Sequence, residues 1–208
     1  MIRRGWLLGG LLILAASWFV VPFLPFGPSF LGHMTMHLGV VAVAAPLLAI
    51  GVAGRVFELG PRVGLLCHPV LATGLEFVVV WGWHAPALHF AARTSALVFA
   101  LEQVSFLVVG LMVWVAAFGV RQSVQASAAA GTAALFITSM HMTLLGALLA
   151  LSPRPLYDPS ICGFGAFSPL EDQQLGGVLM LMVGGASYLI GGLVLMARLL
   201  RAPEGAGT

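Results

Sequence analysis

Long apolar runs separated by short polar breaks extend along the whole chain. A helix that crosses a membrane needs about 20 mainly apolar residues, because each backbone polar group must be satisfied within the segment. Six stretches meet this requirement, at residues 5–21, 30–53, 64–83, 95–118, 128–151 and 173–197. Proline and glycine concentrate in the connections between them, as in residues 22–28 and 153–169. The pattern predicts an all-α polytopic bundle of about six transmembrane helices, forming a single domain over residues 1–208.

Composition excludes a protein that lives in water. Hydrophobic residues make up 60% of the chain and charged residues only 8%, whereas soluble domains contain about a quarter charged residues. So little charge rules out a water-soluble fold, intrinsic disorder and a nucleic-acid-binding surface. We therefore expect the lipid bilayer to surround most of the chain.

The positions of the arginines predict the orientation of the bundle. With the N-terminus inside, seven of the nine basic residues lie on the inner side, and only Arg93 and Arg154 lie outside. The positive-inside rule then places both termini in the cytoplasm. The first segment follows Arg3 and Arg4 as a signal peptide would, but we expect it to be retained as a span.

Most of the remaining ionisable residues gather at the outer side of this topology. Ionisable groups within membrane spans are costly and normally mark a site or a pathway. The outer set comprises His33, His37, Glu76, His84, His89, Glu102, His141, Glu171 and Asp172. Only His68 among the histidines falls on the inner side. The sequence therefore predicts a polar site in the outer leaflet.

The densest signal in that set is the segment His33-Met34-Thr35-Met36-His37. Residues four apart share a helix face, so both imidazoles can bind one ion, with Met34 and Met36 bordering the pair. Imidazole and thioether together suit a soft ion, Cu(I) especially. The alternative is two interfacial histidines bonded to headgroups or carbonyls, with the methionines as ordinary packing. For a pair at this spacing we favour the metal site.

His141 and His84 are the next candidate ligands. His141 lies in the outer half of the fifth span, at a depth that would let it meet the face of His33 and His37. A hydrogen bond from His141 to a neighbouring carbonyl is an equal alternative. We predict that His33, His37 and His141 hold the ion, with His84 next, and His89 or the bordering methionines as further candidates.

Three acidic residues are candidates for supporting or extending this site. Glu76 lies eight residues before His84, a rise of about 12 Å that is too long for both to bind one ion on a straight helix. Glu76 could instead support the ligands, accept a proton or pair with Arg93. We expect Glu102 to orient a ligand, with a structural hydrogen bond as the alternative. Asp172 opens the last span, where acids complement the helix dipole, so capping is its alternative.

Glycines and cysteines complete the inventory. Gly177, Gly184 and Gly191 repeat every seven residues in the last span, each beside a second glycine. Such small residues allow close helix packing, and this stripe is also a candidate contact for a second copy of the chain. Cys67 and Cys162 fall on opposite sides of the membrane, so they cannot pair in this topology, and we assign neither a role.

Several motifs together resemble the CtaG family, the multi-spanning assembly factors of cytochrome c oxidase rather than the single-span copper chaperone of that name. The resemblance runs from about residue 30 to 185. The motifs that carry it are His33-x-x-x-His37, Trp83-His84-Ala85-Pro86, Met140-His141 with Leu145-Gly146-Ala147-Leu148-Leu149, Pro155-Leu156-Tyr157, and Leu170-Glu171-Asp172-Gln173-Gln174-Leu175-Gly176-Gly177-Val178-Leu179-Met180.

The resemblance implies a non-enzymatic role in maturing haem–copper oxidases, with copper delivery as the task. It further implies a bacterial cytoplasmic (inner) membrane, and oxidase subunits or other copper chaperones as partners. One departure concerns the fourth span, where the family pattern Glu-His is replaced by Glu102-Gln103. This change removes one candidate ligand. The chain also has six predicted spans where relatives often have seven.

Two other functions stay open at this stage. In a b-type haem redox protein, histidines from several helices would ligate iron, but transmembrane electron transfer usually needs haems at both depths and only His68 lies inside. A copper transporter would need polar residues through the inner halves of the spans, which are nearly devoid of them.

Overall fold

The computed structural model describes residues 4–56, 68–118, 125–161 and 167–201, and within them it contains helices and loops but no strand. Five helical runs are long and apolar enough to cross a membrane, and the apolar helix Pro69–Trp83 is shorter. The five are Arg4–Phe23, Phe30–Val52, Ala96–Phe118, Ala129–Ala150 and Pro169–Arg201. These six helical regions coincide with the six predicted segments, so the prediction of an all-α polytopic bundle is confirmed.

The helices follow one another with few long connections. In chain order they are α1 (Arg4–Phe19), α2 (Phe30–Leu38), α3 (Ala45–Val56), α4 (Pro69–Trp83), α5 (Pro86–Thr94), α6 (Ala96–Phe118), α7 (Gln125–Ala150), α8 (Pro169–Leu179) and α9 (Ala186–Arg201). The short helix α5 lies in the connection between the third and fourth predicted spans, where the sequence analysis predicted no helix. It begins at Pro86, whose fixed backbone angle and missing N–H suit the first turn of a helix.

Two of the spans contain a widened π-helical turn in the middle. Gly39–Ala44 joins α2 to α3, and Met180–Gly185 joins α8 to α9. Pro46 accounts for the first, because it lacks an N–H and its ring crowds the carbonyl one turn earlier, that of Ala42. Inside lipid such a carbonyl needs another donor, and Ser187 supplies it, with Oγ 2.6 Å from the Ala42 oxygen.

The packing of the helices brings several helix ends together. Helix α4 packs between α6 and α7, while α2 packs against α8 and α3 against α6. As a result α2, α6 and α8 begin, and α4 and α7 end, at the same end of the bundle, which we call the site end. Ser29 caps α2 there, accepting a hydrogen bond from the N–H of Gly32 at 3.2 Å.

The glycine stripe of the last span packs against helices of the same chain. A Cβ on Gly177 would lie 2.5 Å from the backbone nitrogen of Ala150 on α7, and one on Gly191 would lie 2.7 Å from the ring of Trp114 on α6. Gly184 faces Leu38 of α2. These positions face helices of the same chain, as the packing interpretation of the stripe predicts, and association of two copies through it stays a prediction.

Replacing Gly177 by valine is expected to push α8 away from α7 and to lower the stability of the bundle by about 2–3 kcal/mol, since the added atoms meet backbone that cannot give way. The matched control is Gly82→Val, because a Cβ at Gly82 meets nothing within 4 Å. Thermal unfolding of the detergent-solubilised variants measures the difference. Equal losses in the two variants would contradict the close contact at Gly177.

Candidate metal centre

Four imidazole rings meet at the site end, and we call them the histidine cluster. His33 and His37 come from α2, His84 directly follows α4, and His89 lies on α5. The ring centre of His33 is 4.8 Å from that of His89, 5.7 Å from that of His84 and 6.3 Å from that of His37. His37 and His84 are 5.3 Å apart. All four side chains are buried, with His33 at the centre of the group.

Most ring nitrogens of the histidine cluster have no hydrogen-bond partner. Among the described residues this applies to both nitrogens of His33, His37 and His89, and to Nε2 of His84. Leaving a buried polar atom unpaired costs about 1–3 kcal/mol. A group of seven such atoms is therefore expensive for the protein alone, whereas an ion bound among the rings would engage several of them.

His84 is oriented as metal-binding histidines usually are. Its Nδ1 lies 2.6 Å from the carbonyl oxygen of Val80, and donating that N–H leaves the lone pair on Nε2. The carbonyl of His84 accepts the hydroxyl of Tyr157 at 2.9 Å. The ring and the backbone of His84 are thus both held in place, while Nε2 is free to bind a metal ion.

The two histidines outside the spans are in the neutral form that binds metals. Burial lowers the pKa of His84 to about 4, against the opposing effect of the Val80 carbonyl. Burial also lowers the pKa of His89 to about 3, with the nearby charge of Arg93 acting in the same direction. At neutral pH both rings are uncharged, so a lone pair is available on each.

Glu102 of α6 adds a carboxylate to the histidine cluster. One ligand atom from each of His33, His89 and Glu102 lies within 4.8 Å of the others. Glu102 Oε2 is 3.8 Å from His33 Nδ1 and 2.7 Å from the guanidinium of Arg93. The prediction placed Glu102 beside the ligands, and the structure places it within reach of an ion bound there.

Gln103 links Glu102 to the first helix. Its amide nitrogen donates to Glu102 Oε2 at 3.2 Å, and its amide oxygen accepts the indole N–H of Trp18 at 3.1 Å. Gln103 therefore positions the carboxylate of Glu102 and ties α6 to α1.

His141 lies apart from the histidine cluster. Its ring stands edge-on to Phe77 of α4, with 5.4 Å between the ring centres. Phe77 precedes His84 by seven residues, which places it about 10 Å away along the helix axis. Within the described residues, no ring contact joins His141 to the four clustered histidines. The structure therefore does not bring His141 to the rings of His33 and His37.

Glu76 lies in a second buried polar group deeper in the bundle. Its carboxylate accepts a hydrogen bond from the hydroxyl of Tyr188 on α9, a residue that the sequence analysis did not single out. Glu76 precedes His84 by eight residues, so the two are separated by about 12 Å along α4. The residue beside Arg93 is Glu102, and Glu76 is paired with Tyr188.

The acidic residues at the start of α8 are used as caps. Asp172 accepts the N–H of Phe30 at 2.8 Å and that of Leu31 at 3.0 Å, so its carboxylate closes the N-terminus of α2. Glu171 and Ser168 form a capping box on α8 itself. Both acids thus act as caps, which was the alternative given for Asp172. Asp172, however, caps the neighbouring helix, the one that carries His33 and His37.

Gln173, the residue after Asp172, secures the loop over the histidine cluster. Gln173 accepts the N–H of Leu156 at 2.7 Å and donates to the carbonyl of Leu149 at 3.3 Å. The next residue of that loop, Tyr157, places its ring 4.6 Å from that of His89. Gln173, part of the sequence motif at the start of the last span, therefore holds the loop that carries Tyr157 against the histidine cluster.

The methionines and cysteines have separate positions. Met34 packs toward α8 in the core, and Met36 lines a cavity of about 630 Å³ at the site end that also contains Arg93. Cys67 and Cys162 lie outside the described residues.

Comparison with known proteins identifies a family for this chain. A family model described as cytochrome c oxidase caa3 assembly factor (Caa3_CtaG) matches residues 3–202, nearly the whole chain. Searches of curated proteins and of solved structures found no match. The matched region contains the whole histidine cluster, Glu102 and the capping residues of α8.

Proposed function

This chain belongs to the cytochrome c oxidase caa3 assembly factor family, and from this premise we propose that it binds one copper ion at the histidine cluster and passes it to the oxidase under assembly. The family gives the coarser role, assembly of the oxidase by a membrane protein. Copper as cargo, a non-catalytic action and the outer face of a bacterial cytoplasmic membrane are our proposals.

The observation that carries the proposal is the set of unpaired nitrogens in the histidine cluster. His33, His37, His84 and His89 present them within one small buried volume, and Glu102 stands beside them. Imidazole suits copper, zinc, iron and nickel alike. Of these, copper and iron are the metals of a haem–copper oxidase.

The charge of the surroundings favours Cu(I). The carboxylate of Glu102 is already balanced by the guanidinium of Arg93 at 2.7 Å, so an ion would bind to a site that is close to neutral. The cost of burying an ion rises steeply with its charge. A monovalent ion held by neutral imidazoles is therefore easier to accommodate than a divalent one.

Release to a partner fits the position of the site. The histidine cluster lies at one end of the bundle, beneath the loop that carries Tyr157, rather than deep among the spans. By the arginine distribution this end faces the outer side of the membrane. We propose a copper-receiving subunit of the oxidase, or another copper chaperone, as the partner there.

Elemental analysis of the detergent-purified protein tests this proposal directly. After anaerobic Cu(I) loading and desalting, copper and iron are measured in one run, with His68→Ala as a control because His68 is exposed at the start of α4. We expect about one copper per chain, without iron, in both proteins. Iron with a Soret band would identify a haem protein instead, and absence of both metals would refute copper binding.

A further inference from the structure

A second cavity lies between α4 and α7, away from the histidine cluster. It has a volume of about 690 Å³, within the range of sites that hold small molecules. Its lining is almost wholly apolar and includes Gly74, Phe77, Ile137 and Met140. The polar exception that matters here is His141, which lines the same cavity.

His141 is a buried polar group without a partner in the described part of the chain. Its side chain is 6% exposed, and neither ring nitrogen makes a hydrogen bond there. Leaving a buried donor unpaired destabilises the fold. A lipid acyl chain could fill the cavity, but it has no atom that could accept a hydrogen bond from the ring.

The depth of His141 restricts what could accept that hydrogen bond. His141 precedes the end of α7 at Ala150 by nine residues, which is about 13 Å along the helix. With the span Ala129–Ala150 centred in a hydrocarbon core about 30 Å thick, His141 lies near the middle of the membrane. Phospholipid ester carbonyls stay at the headgroup boundary and do not reach this level. A molecule that dissolves in the hydrocarbon core can supply the acceptor at this level.

We propose that this cavity binds the ring of a lipid-soluble quinone, with a ring carbonyl accepting a hydrogen bond from His141. The ring of Phe77 and the thioether of Met140 provide an apolar, polarisable surround for such a head group. Haem fits the cavity poorly, because the lining described by the structure contains no cation to receive its propionates. This site is separate from the copper site and does not depend on it.

Quenching of tryptophan fluorescence tests the proposal. Trp81 stands next to the cavity, with its ring 5.3 Å from that of Phe77. The protein is placed in phosphatidylcholine nanodiscs free of quinone and titrated with a quinone that carries two isoprene units. We expect saturable quenching, reduced in the variant Trp81→Phe. Quenching that rises linearly with quinone content would show partition into lipid alone and would overturn the proposal.

Two variants of His141 separate the hydrogen bond from the space it occupies. His141→Leu keeps the volume but loses the donor, and we expect the dissociation constant to rise about tenfold. His141→Gln retains an N–H and should bind within about threefold of the unchanged protein. A third variant, Ala134→Phe, fills the cavity and should abolish saturable quenching. Equal affinity in the leucine variant and the unchanged protein would refute the role of His141.

Discussion

Replacing His33 and His37 together by asparagine is expected to abolish copper binding, from about one ion per chain to less than about a tenth. His33 is the centre of the histidine cluster, 4.8 Å from His89 and 5.7 Å from His84 between ring centres, and His37 is 5.3 Å from His84. Losing even a partner of a ligand costs about 10- to 100-fold in metal affinity. Removing two central ligands should therefore cost more than 100-fold.

Anaerobic competition with a chromophoric Cu(I) chelator measures this loss. Asparagine keeps a polar side chain of moderate size on α2, so the bundle should still insert and unfold near its usual temperature. His141→Asn is the matched control, because His141 lies against Phe77 and apart from the histidine cluster. If the double variant keeps its copper, the histidine cluster is not the copper site. If the control variant loses copper instead, the site includes His141 on α7.

The fold was predictable because lipid imposes a strict rule on the sequence. A span must be apolar over about 20 residues, and this rule alone located the six helical regions. Helix α5 escaped prediction because it is only nine residues long, too short to be found by the length that a span requires. Its sequence signal was Pro86, a residue favoured in the first turn of a helix.

The candidate site was predictable in part. His33 and His37 are four residues apart, so they lie on the same face of a helix in any surroundings. Their proximity could therefore be predicted from the sequence. The ranking of the other histidines could not, because a position along a helix gives depth but not the direction in which the side chain points. Its position along the chain placed His141 in the outer half of its span, but its side chain faces the gap between α4 and α7. Helix α5 packs against α6 and brings His89 to the cluster.

Hydrogen bonds between residues far apart in the chain could not be predicted from the sequence, for the same reason. The acidic start of α8 predicts capping by a local argument, and Glu171 caps its own helix as that argument expects. Asp172 instead reaches the first N–H groups of α2, a helix about 140 residues earlier in the chain. Only the packing of α2 against α8 reveals that partner.

Replacing Asp172 by alanine is expected to weaken both the fold and the copper site. The change leaves the N–H groups of Phe30 and Leu31 without their carboxylate acceptor, which should lower the free energy of unfolding by roughly 2–4 kcal/mol. His33 follows these residues within one turn of α2. A displaced helix start would move its ring, and we expect copper affinity to fall about tenfold.

The control Glu171→Ala separates the two effects. Glu171 belongs to an exposed capping box on α8, so its loss should lower stability only slightly and leave copper affinity unchanged. Unfolding in mixed detergent micelles gives the stability, and competition with the Cu(I) chelator gives the affinity. If Asp172→Ala loses stability at constant affinity, the carboxylate only holds the bundle together. If both quantities fall while the control loses stability alone, Asp172 positions the helix that presents His33 and His37 to the ion.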